Sequence, residues 1–229
     1  MSGLHPDLHP VVAADRLLYA TRFGTRHPAT VGELLDAMAE AVGDAIPGDD
    51  VMVAVTRGHG FADWHAAQLS GDRPFDPLFE AAADAVVGGD EAVLAELVAS
   101  RPSLVADRSP LGHAATLLHY VAANGVEFRR QQSGPNAPAI AERLLSAGAT
   151  VDALADTYGG GTTQTALVLL LTSAHPAQAG VTNAVLDVLL RYGADPSGVN
   201  GDGAPLRAAR RVGNDAAVDR LTSAATAGD

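Results

Sequence analysis

Apolar residues in the last two-thirds of the chain recur at helical spacing, and glycines interrupt them at intervals. Three longer amphipathic segments end in apolar, mostly Leu-rich sequence that is followed by a Gly or Ala. These endings lie within residues 141–153, 186–198 and 218–228. A shorter apolar segment precedes each of them, at residues 116–125, 165–173 and 204–213. This alternation predicts a series of helix pairs. Because neither helix of a pair buries its apolar face alone, we expect the pairs to stack on one another.

The first 74 residues have a weaker pattern. Apolar spacing predicts helices over Pro10–Ala20, Thr30–Ile46 and Phe61–Leu69. Thr30 is a plausible N-cap, and Glu33 stands three residues later, as in a capping box. We therefore expect residues 1–74 to form a small helical cap on the first helix pair.

The helix pairs resemble the ankyrin repeat, whose consensus runs TPLHxAAxxG and then a second helix ending LLxxGAD. Residues 116–125, TLLHYVAANG, match the first part at Thr116 and His119. The second part is matched by LLSAGA at 144–149 and by LLRYGAD at 189–195. The resemblance implies a stack of helical hairpins in which His119 hydrogen-bonds to neighbouring backbone.

On this resemblance the chain is predicted to be an all-α ankyrin-repeat solenoid of about four repeats behind the N-terminal cap. Residues 76–101 have the same helix–Gly–helix plan without the TPLH motif, as expected of an atypical terminal repeat. The predicted repeats span residues 75–110, 111–155, 156–198 and 199–229.

The spacing between repeats exceeds the ankyrin length of about 33 residues, and the surplus can be located. Insertions fall between the two helices of repeats two and three, at residues 126–138 and 175–183. A smaller surplus falls in the Gly-rich segment 156–164. Repeats stack in register, so the two insertions are expected on one edge. They are either a binding edge or tolerated loops.

Composition excludes several classes of chemistry. The 229 residues include no Cys and no Lys, so all 15 basic residues are Arg. Thiolate nucleophiles, thiolate metal sites, Schiff bases and the P-loop lysine are therefore absent from this sequence. The net charge of −12 disfavours nucleic acid and anionic membranes as partners. No signal-peptide pattern is present, and the Ala-rich, Lys-free composition favours a bacterial protein of the cytoplasm.

No motif commits the chain to a metal or a cofactor, and we expect neither. His5 and His9 have helical spacing, but two prolines interrupt that segment. The Gly159–Gly161 run lacks the strand and the lysine of a phosphate loop, so a finger tip is the better interpretation. The arginine clusters at 129–130 and 207–211 either bind an anion or are simply solvated.

The predicted function is non-catalytic binding of a protein partner, with a small molecule as a possible ligand. The concave groove and the insertions would supply the contacts. The residues expected to bind are Tyr120, Asn124, Arg129, Arg130, Tyr158, Gln164, Ser173, His175 and Arg211.

An enzyme is the alternative hypothesis. The insertions would cover a pocket for a cofactor-free isomerase, cyclase or lyase, in which positioned proton transfer is the main requirement. The candidate acid–base residues are His119, Tyr120, Glu127, Tyr158 and His175.

Overall fold

The computed structural model describes residues 9–23, 26–43, 50–159 and 163–227. Four helices make up its N-terminal part: α1 (His9–Leu18), α2 (Val31–Val42), α3 (Asp50–Gly58) and α4 (Trp64–Leu69). A π-helical turn, Tyr19–Phe23, continues α1. We did not predict α3, because its short apolar run VMVAV has no clear helical period.

The start of α2 is capped by side chains on both sides. Thr30 Oγ1 accepts a hydrogen bond from the Glu33 amide, as predicted. The Glu33 carboxylate reaches back one residue further than in a standard capping box and accepts from the Ala29 amide. The predicted end of this helix at Ile46 lies outside the described residues.

Four helix pairs follow along the chain. The first helices are α5 (Pro77–Gly88), α7 (Leu117–Val121), α9 (Ala166–Thr172) and α12 (Ala204–Arg211). The second helices are α6 (Glu91–Ser100), α8 (Ala137–Ser146), α11 (Thr182–Arg191) and α13 (Asp215–Ala227). A further short helix, α10 (Ala174–Gln178), lies between α9 and α11 in the second insertion.

The pairs stack in register. The first helices contact one another in the order α5, α7, α9, α12, and the second helices in the order α6, α8, α11, α13. Hydrogen bonds also join adjacent pairs: Tyr192 donates one of 2.9 Å to Glu142, and Asp152 accepts one of 3.1 Å from the Asp195 amide. The described chain is thus mostly helical, as predicted.

A short β-hairpin separates the second pair from the third. Strand β1 (Leu154–Asp156) pairs antiparallel with β2 (Thr163–Thr165). A 3₁₀ turn, Thr157–Gly159, follows β1 and contacts α3 of the N-terminal part.

Two apolar cores stabilise the fold. One runs through the four helix pairs, and the other lies within the N-terminal helices. The N-terminal core also contains Leu111 and Phe128, which come from the segments before and after α7. Phe128 comes from the first insertion, so this insertion is anchored in the N-terminal core and is not a free loop.

Candidate functional site

A layer of buried charged and polar side chains lies between the two apolar cores. Its members come from the N-terminal part of the chain, from α5 and α7, from the segment that precedes α7, and from the first insertion. The members with exposures of 4% or less are Asp15, His59, Glu80, Ser109, His113, Tyr120, Glu127 and Arg130. A buried charge is costly unless it is paired, so this layer has to be internally neutralised.

Arg130 is at the centre of the layer. Its Nη1 donates to Glu80 Oε2 at 2.7 Å and to Glu127 Oε1 at 3.0 Å. Its Nε donates to Asp84 Oδ1 at 2.8 Å, and its Nη2 donates to the Glu80 carbonyl at 3.1 Å. The carboxylates Glu127 and Glu80 hold the pKa of Arg130 well above its usual range against the opposing effect of burial. One guanidinium thus joins the insertion to α5.

The first insertion is shaped so that neighbouring residues point in different directions. Phe128 and Arg130 lie in a short 3₁₀ helix, Phe128–Arg130, and both are buried. Phe128 enters the N-terminal core, whereas Arg130 enters the polar layer. Glu127 receives a 3.3 Å hydrogen bond from the Tyr120 hydroxyl. Burial alone would raise the pKa of Glu127, but Arg130 and His113 outweigh it and hold that pKa well below its usual range.

The layer continues into the N-terminal helices through Arg129. Its amide donates to Asp15 Oδ2 at 2.8 Å, and its guanidinium lies 3.7 Å from the centre of the Tyr19 ring. His27 lies 3.4 Å from Asp84 and 3.6 Å from Glu80. Burial raises the pKa of Asp15 and of Glu80.

Hydrogen bonding in this layer is incomplete. Seven buried atoms of the layer have no hydrogen-bond partner among the described protein atoms: Asp15 Oδ1, His27 Nδ1, Glu80 Oε1, His113 Nε2, Glu127 Oε2, and Nε and Nη2 of Arg129. His113 Nε2 lies 3.4 Å from Glu127 Oε2 without hydrogen-bond geometry. The layer is therefore rich in acid–base groups, but its main members are sealed from solvent.

These positions correct part of the predicted binding surface. We expected Tyr120 in an open groove and Arg129 and Arg130 on an exposed edge. Tyr120 and Arg130 are at most 1% exposed, and the Arg129 side chain is 13% exposed, because the first insertion and the N-terminal helices cover them. Sequence analysis missed Glu80 and Asp84, although two acids four residues apart in an otherwise apolar helix were a usable signal.

Backbone groups hold both ring nitrogens of His119. The Thr116 amide donates to its Nδ1 at 3.1 Å, so the proton is on Nε2, which donates to the Ala153 carbonyl at 3.0 Å. Burial lowers the pKa of His119 to about 4. This neutral ring joins the start of α7 to the turn before β1.

The second insertion borders an open cavity, here called the edge cavity, of about 350 Å³. It lies between α10, the start of α11 and the α12–α13 turn. The lining includes Ser173, Ala177, Thr182, Asn183, Val212 and Asn214. Val212 is 53% exposed, which makes it one of the large apolar side chains left open to solvent.

The remaining predicted site residues fall in several environments. Ser173 donates to the Ala123 carbonyl at 3.0 Å and also lines the edge cavity. Asn124 donates to Thr172 Oγ1, at 3.0 Å. His175 is partly buried on α10, and burial together with nearby Arg16 lowers its pKa. Arg211 is exposed beside Val212.

Two predicted residues belong to the Gly-rich finger. Gln164 is partly buried in β2, opposite Ala155. Tyr158 lies in the 3₁₀ turn after β1, but its side chain is outside the described residues, as is the finger tip at 160–162. His5 and the side chain of His9 are also outside them.

Within the described residues, no group of three or more His, Asp or Glu side chains is arranged to hold a metal ion. No helix there is long and apolar enough to cross a membrane. No protein-family model matches the sequence, and a comparison with curated proteins finds no significant match.

Proposed function

We propose that this chain is an ankyrin-repeat module that binds a segment of a partner protein at its edge cavity. The repeat assignment is supported by the four helix pairs in register and by the environment of His119. It is also supported by Gly148 and Gly193, whose φ angles of 97° and 87° end the second helices in the left-handed conformation.

The edge cavity is the observation that carries the binding proposal. It lies where the second insertion meets the turn of the next repeat, and insertions in repeat proteins often supply the binding face. Its wall combines apolar Val212 with the polar residues Asn183 and Asn214. An apolar anchor beside a few polar groups suits recognition of a protein segment.

The two insertions therefore have different roles. The first is used inside the molecule, because Phe128 and Arg130 anchor it between the N-terminal helices and α5. The second is anchored only by Pro176 and Val181, while its Ala177 and Gly180 are exposed and line the edge cavity. Partner binding is accordingly assigned to the second insertion and the fourth repeat.

The enzyme hypothesis has less support. His119 is held by backbone groups on both ring nitrogens, and Tyr120 and Glu127 are sealed in the polar layer. None of these three residues lines the edge cavity. The predicted acid–base residues are thus not gathered around that opening.

Site-specific photocrosslinking tests the proposal. A photoreactive amino acid is placed at Val212 in the full-length chain and activated in cells of the source organism. The matched control places it at Val93 on α6, which is also an exposed valine, at 41%. A discrete protein adduct from position 212 and none from position 93 is expected. Equal labelling at both positions, or no adduct at 212, would contradict the proposal.

A further inference from the structure

The polar layer contains more carboxylates than guanidiniums. Its acidic and arginine members are Asp15, Glu80, Asp84, Glu127, Arg129 and Arg130. With every carboxyl ionised and every histidine neutral, four negative charges would face two positive ones and leave an excess of two. Three of the four carboxyl side chains belong to residues at most 3% exposed, so this excess would be strongly unfavourable. Two further protons make the layer neutral.

The histidine next to Glu127 is not the place for either proton. The Ala115 amide donates to His113 Nδ1 at 3.1 Å, so this nitrogen has no proton of its own. The single ring proton is therefore on Nε2, which faces Glu127 Oε2 at 3.4 Å. His113 thus supplies a dipole to Glu127 but no charge.

His27, by contrast, stands between two acids of α5. Its Nε2 lies 3.4 Å from Asp84 Oδ2, and its Nδ1 lies 3.6 Å from Glu80 Oε2. A neutral ring would turn one bare nitrogen toward a carboxylate, whereas a doubly protonated ring presents an N–H to each acid. His27 and Arg130 outweigh burial and hold the pKa of Asp84 below its usual range. The first proton is therefore assigned to His27.

The second excess charge lies at Asp15. The Asp15 Oδ2 atom accepts from the Arg129 amide at 2.8 Å, but Oδ1 is buried without a partner. His59 is also 1% exposed and attracts Asp15, and its Nδ1 donates to the Val55 carbonyl at 2.8 Å. Burial nevertheless raises the pKa of Asp15. One proton, on the Asp15 carboxyl or on His59 Nε2, removes the uncompensated charge in either position.

The other titratable groups that face the layer, within the described residues, add no positive charge. Tyr19 and Tyr120 are neutral phenols, and burial raises the pKa of each. Asp156 of β1 approaches from the hairpin side, where its amide donates to the His113 carbonyl at 2.9 Å, and it carries a further acid. These groups leave the requirement for two protons in place.

We propose that the polar layer is a pH-dependent contact that holds the N-terminal helices on α5. It keeps one proton on His27 and one shared by Asp15 and His59, and it loosens when they are lost at alkaline pH. This inference is independent of partner binding at the edge cavity.

The loosening is expected on the N-terminal side of the layer. His27 precedes α2, Asp15 lies on α1 and His59 follows α3, whereas the helix pairs have an apolar core of their own. Protons that the folded state holds and the unfolded state releases stabilise the fold at lower pH. Their contribution is lost as the pH rises through the folded-state titration.

Urea unfolding of the full-length protein tests the proton count. Trp64 is the single tryptophan and packs against the N-terminal core, so its fluorescence reports on this part. From about pH 7.5 to about pH 9 an unfolded chain has released its histidine protons, and this chain has no Lys or Cys that would titrate there. The unfolding equilibrium constant should rise about tenfold per pH unit for each proton that the folded state retains. A constant value throughout this range would overturn the proposal.

Matched variants assign the protons to residues. Asp15→Asn keeps an acceptor for the Arg129 amide but cannot titrate, and His27→Gln removes the ring between the acids. Each is expected to reduce the steepest rise of the unfolding constant by about tenfold per pH unit. Asp187→Asn is the control, because Asp187 pairs with Arg220 on the surface, and its profile should match the wild type. Wild-type pH profiles in both Asp15→Asn and His27→Gln would contradict the assignment.

Amide hydrogen exchange locates the opening in the wild-type protein. After correction for the intrinsic effect of pH, exchange at alkaline pH should accelerate at the Leu34 amide of α2 and much less at the Leu144 amide of α8. Both residues are buried, so exposure does not distinguish them. Equal acceleration at the two amides would contradict a contact that loosens the N-terminal helices.

Discussion

Arg130 donates a 2.7 Å hydrogen bond to Glu80, and both side chains are at most 1% exposed. The pair joins the first insertion to helix α5. It also closes the polar layer beneath the N-terminal helices. The first insertion and the N-terminal helices thus cover this part of α5 and α7.

Replacement of Arg130 by Met is expected to destabilise the fold by about 3–5 kcal/mol, because Glu80 and Glu127 would remain buried without their cation. Urea unfolding followed by circular dichroism measures the change. Arg191→Met is the control, since Arg191 pairs with Glu142 on the surface and its loss is expected to cost at most about 1 kcal/mol. Similar losses of unfolding free energy in the two variants would show that the buried pair stabilises the fold no more than the surface pair does.

Removal of the Phe128 ring should loosen the N-terminal helices. Phe128→Ala leaves a cavity in their core and is expected to cost about 3–5 kcal/mol. Hydrogen exchange should then accelerate at core amides of the N-terminal part, such as that of Leu34. The exposed Val212→Ala serves as the control and should change stability by less than about 0.5 kcal/mol. Unaltered exchange in Phe128→Ala would refute the anchoring role of the insertion.

Stability is expected to depend on pH through His119. Its pKa is about 4 in the folded protein, below the ordinary value of 6.5, because the folded state keeps the ring neutral. This contribution is complete above pH 6.5 and is lost as the pH falls from 6.5 toward 4. The free energy of unfolding should therefore decline over this range by up to about 3 kcal/mol more in the wild type than in His119→Gln. If the free energies of unfolding of the two proteins change in parallel with pH, the lowered pKa of His119 is contradicted.

Gly60 is expected to be intolerant of a side chain. Its φ is +79°, and an added Cβ would lie 2.4 Å from the His113 amide nitrogen. Gly193 has a similar φ of +87° but open space around it. Gly193→Ala should cost about 1 kcal/mol from backbone strain alone, whereas Gly60→Ala should lower the melting temperature substantially further. Equal melting temperatures of Gly60→Ala and Gly193→Ala would mean that Gly60 and His113 are not in close contact.

The helix pairs could be predicted from sequence because their apolar spacing and terminal glycines are local signals. The sealed polar layer could not, because Arg130 finds Glu80 only after the N-terminal helices have packed over the insertion. Phe128, a large apolar residue within a polar insertion, was the local sign that this segment is anchored. The edge cavity was predicted only as an edge, since its walls come from three separate segments.

The binding edge is tested most directly by the affinity of the full-length chain for the partner recovered by crosslinking at position 212, measured by calorimetry. Ala177→Trp fills the edge cavity, while Ala139→Trp places the same bulk at another exposed alanine, on α8 and away from that cavity. The proposal predicts that Ala177→Trp weakens binding at least about tenfold, since it obstructs the contact surface, and that Ala139→Trp leaves it unchanged. Undiminished affinity in Ala177→Trp would contradict it.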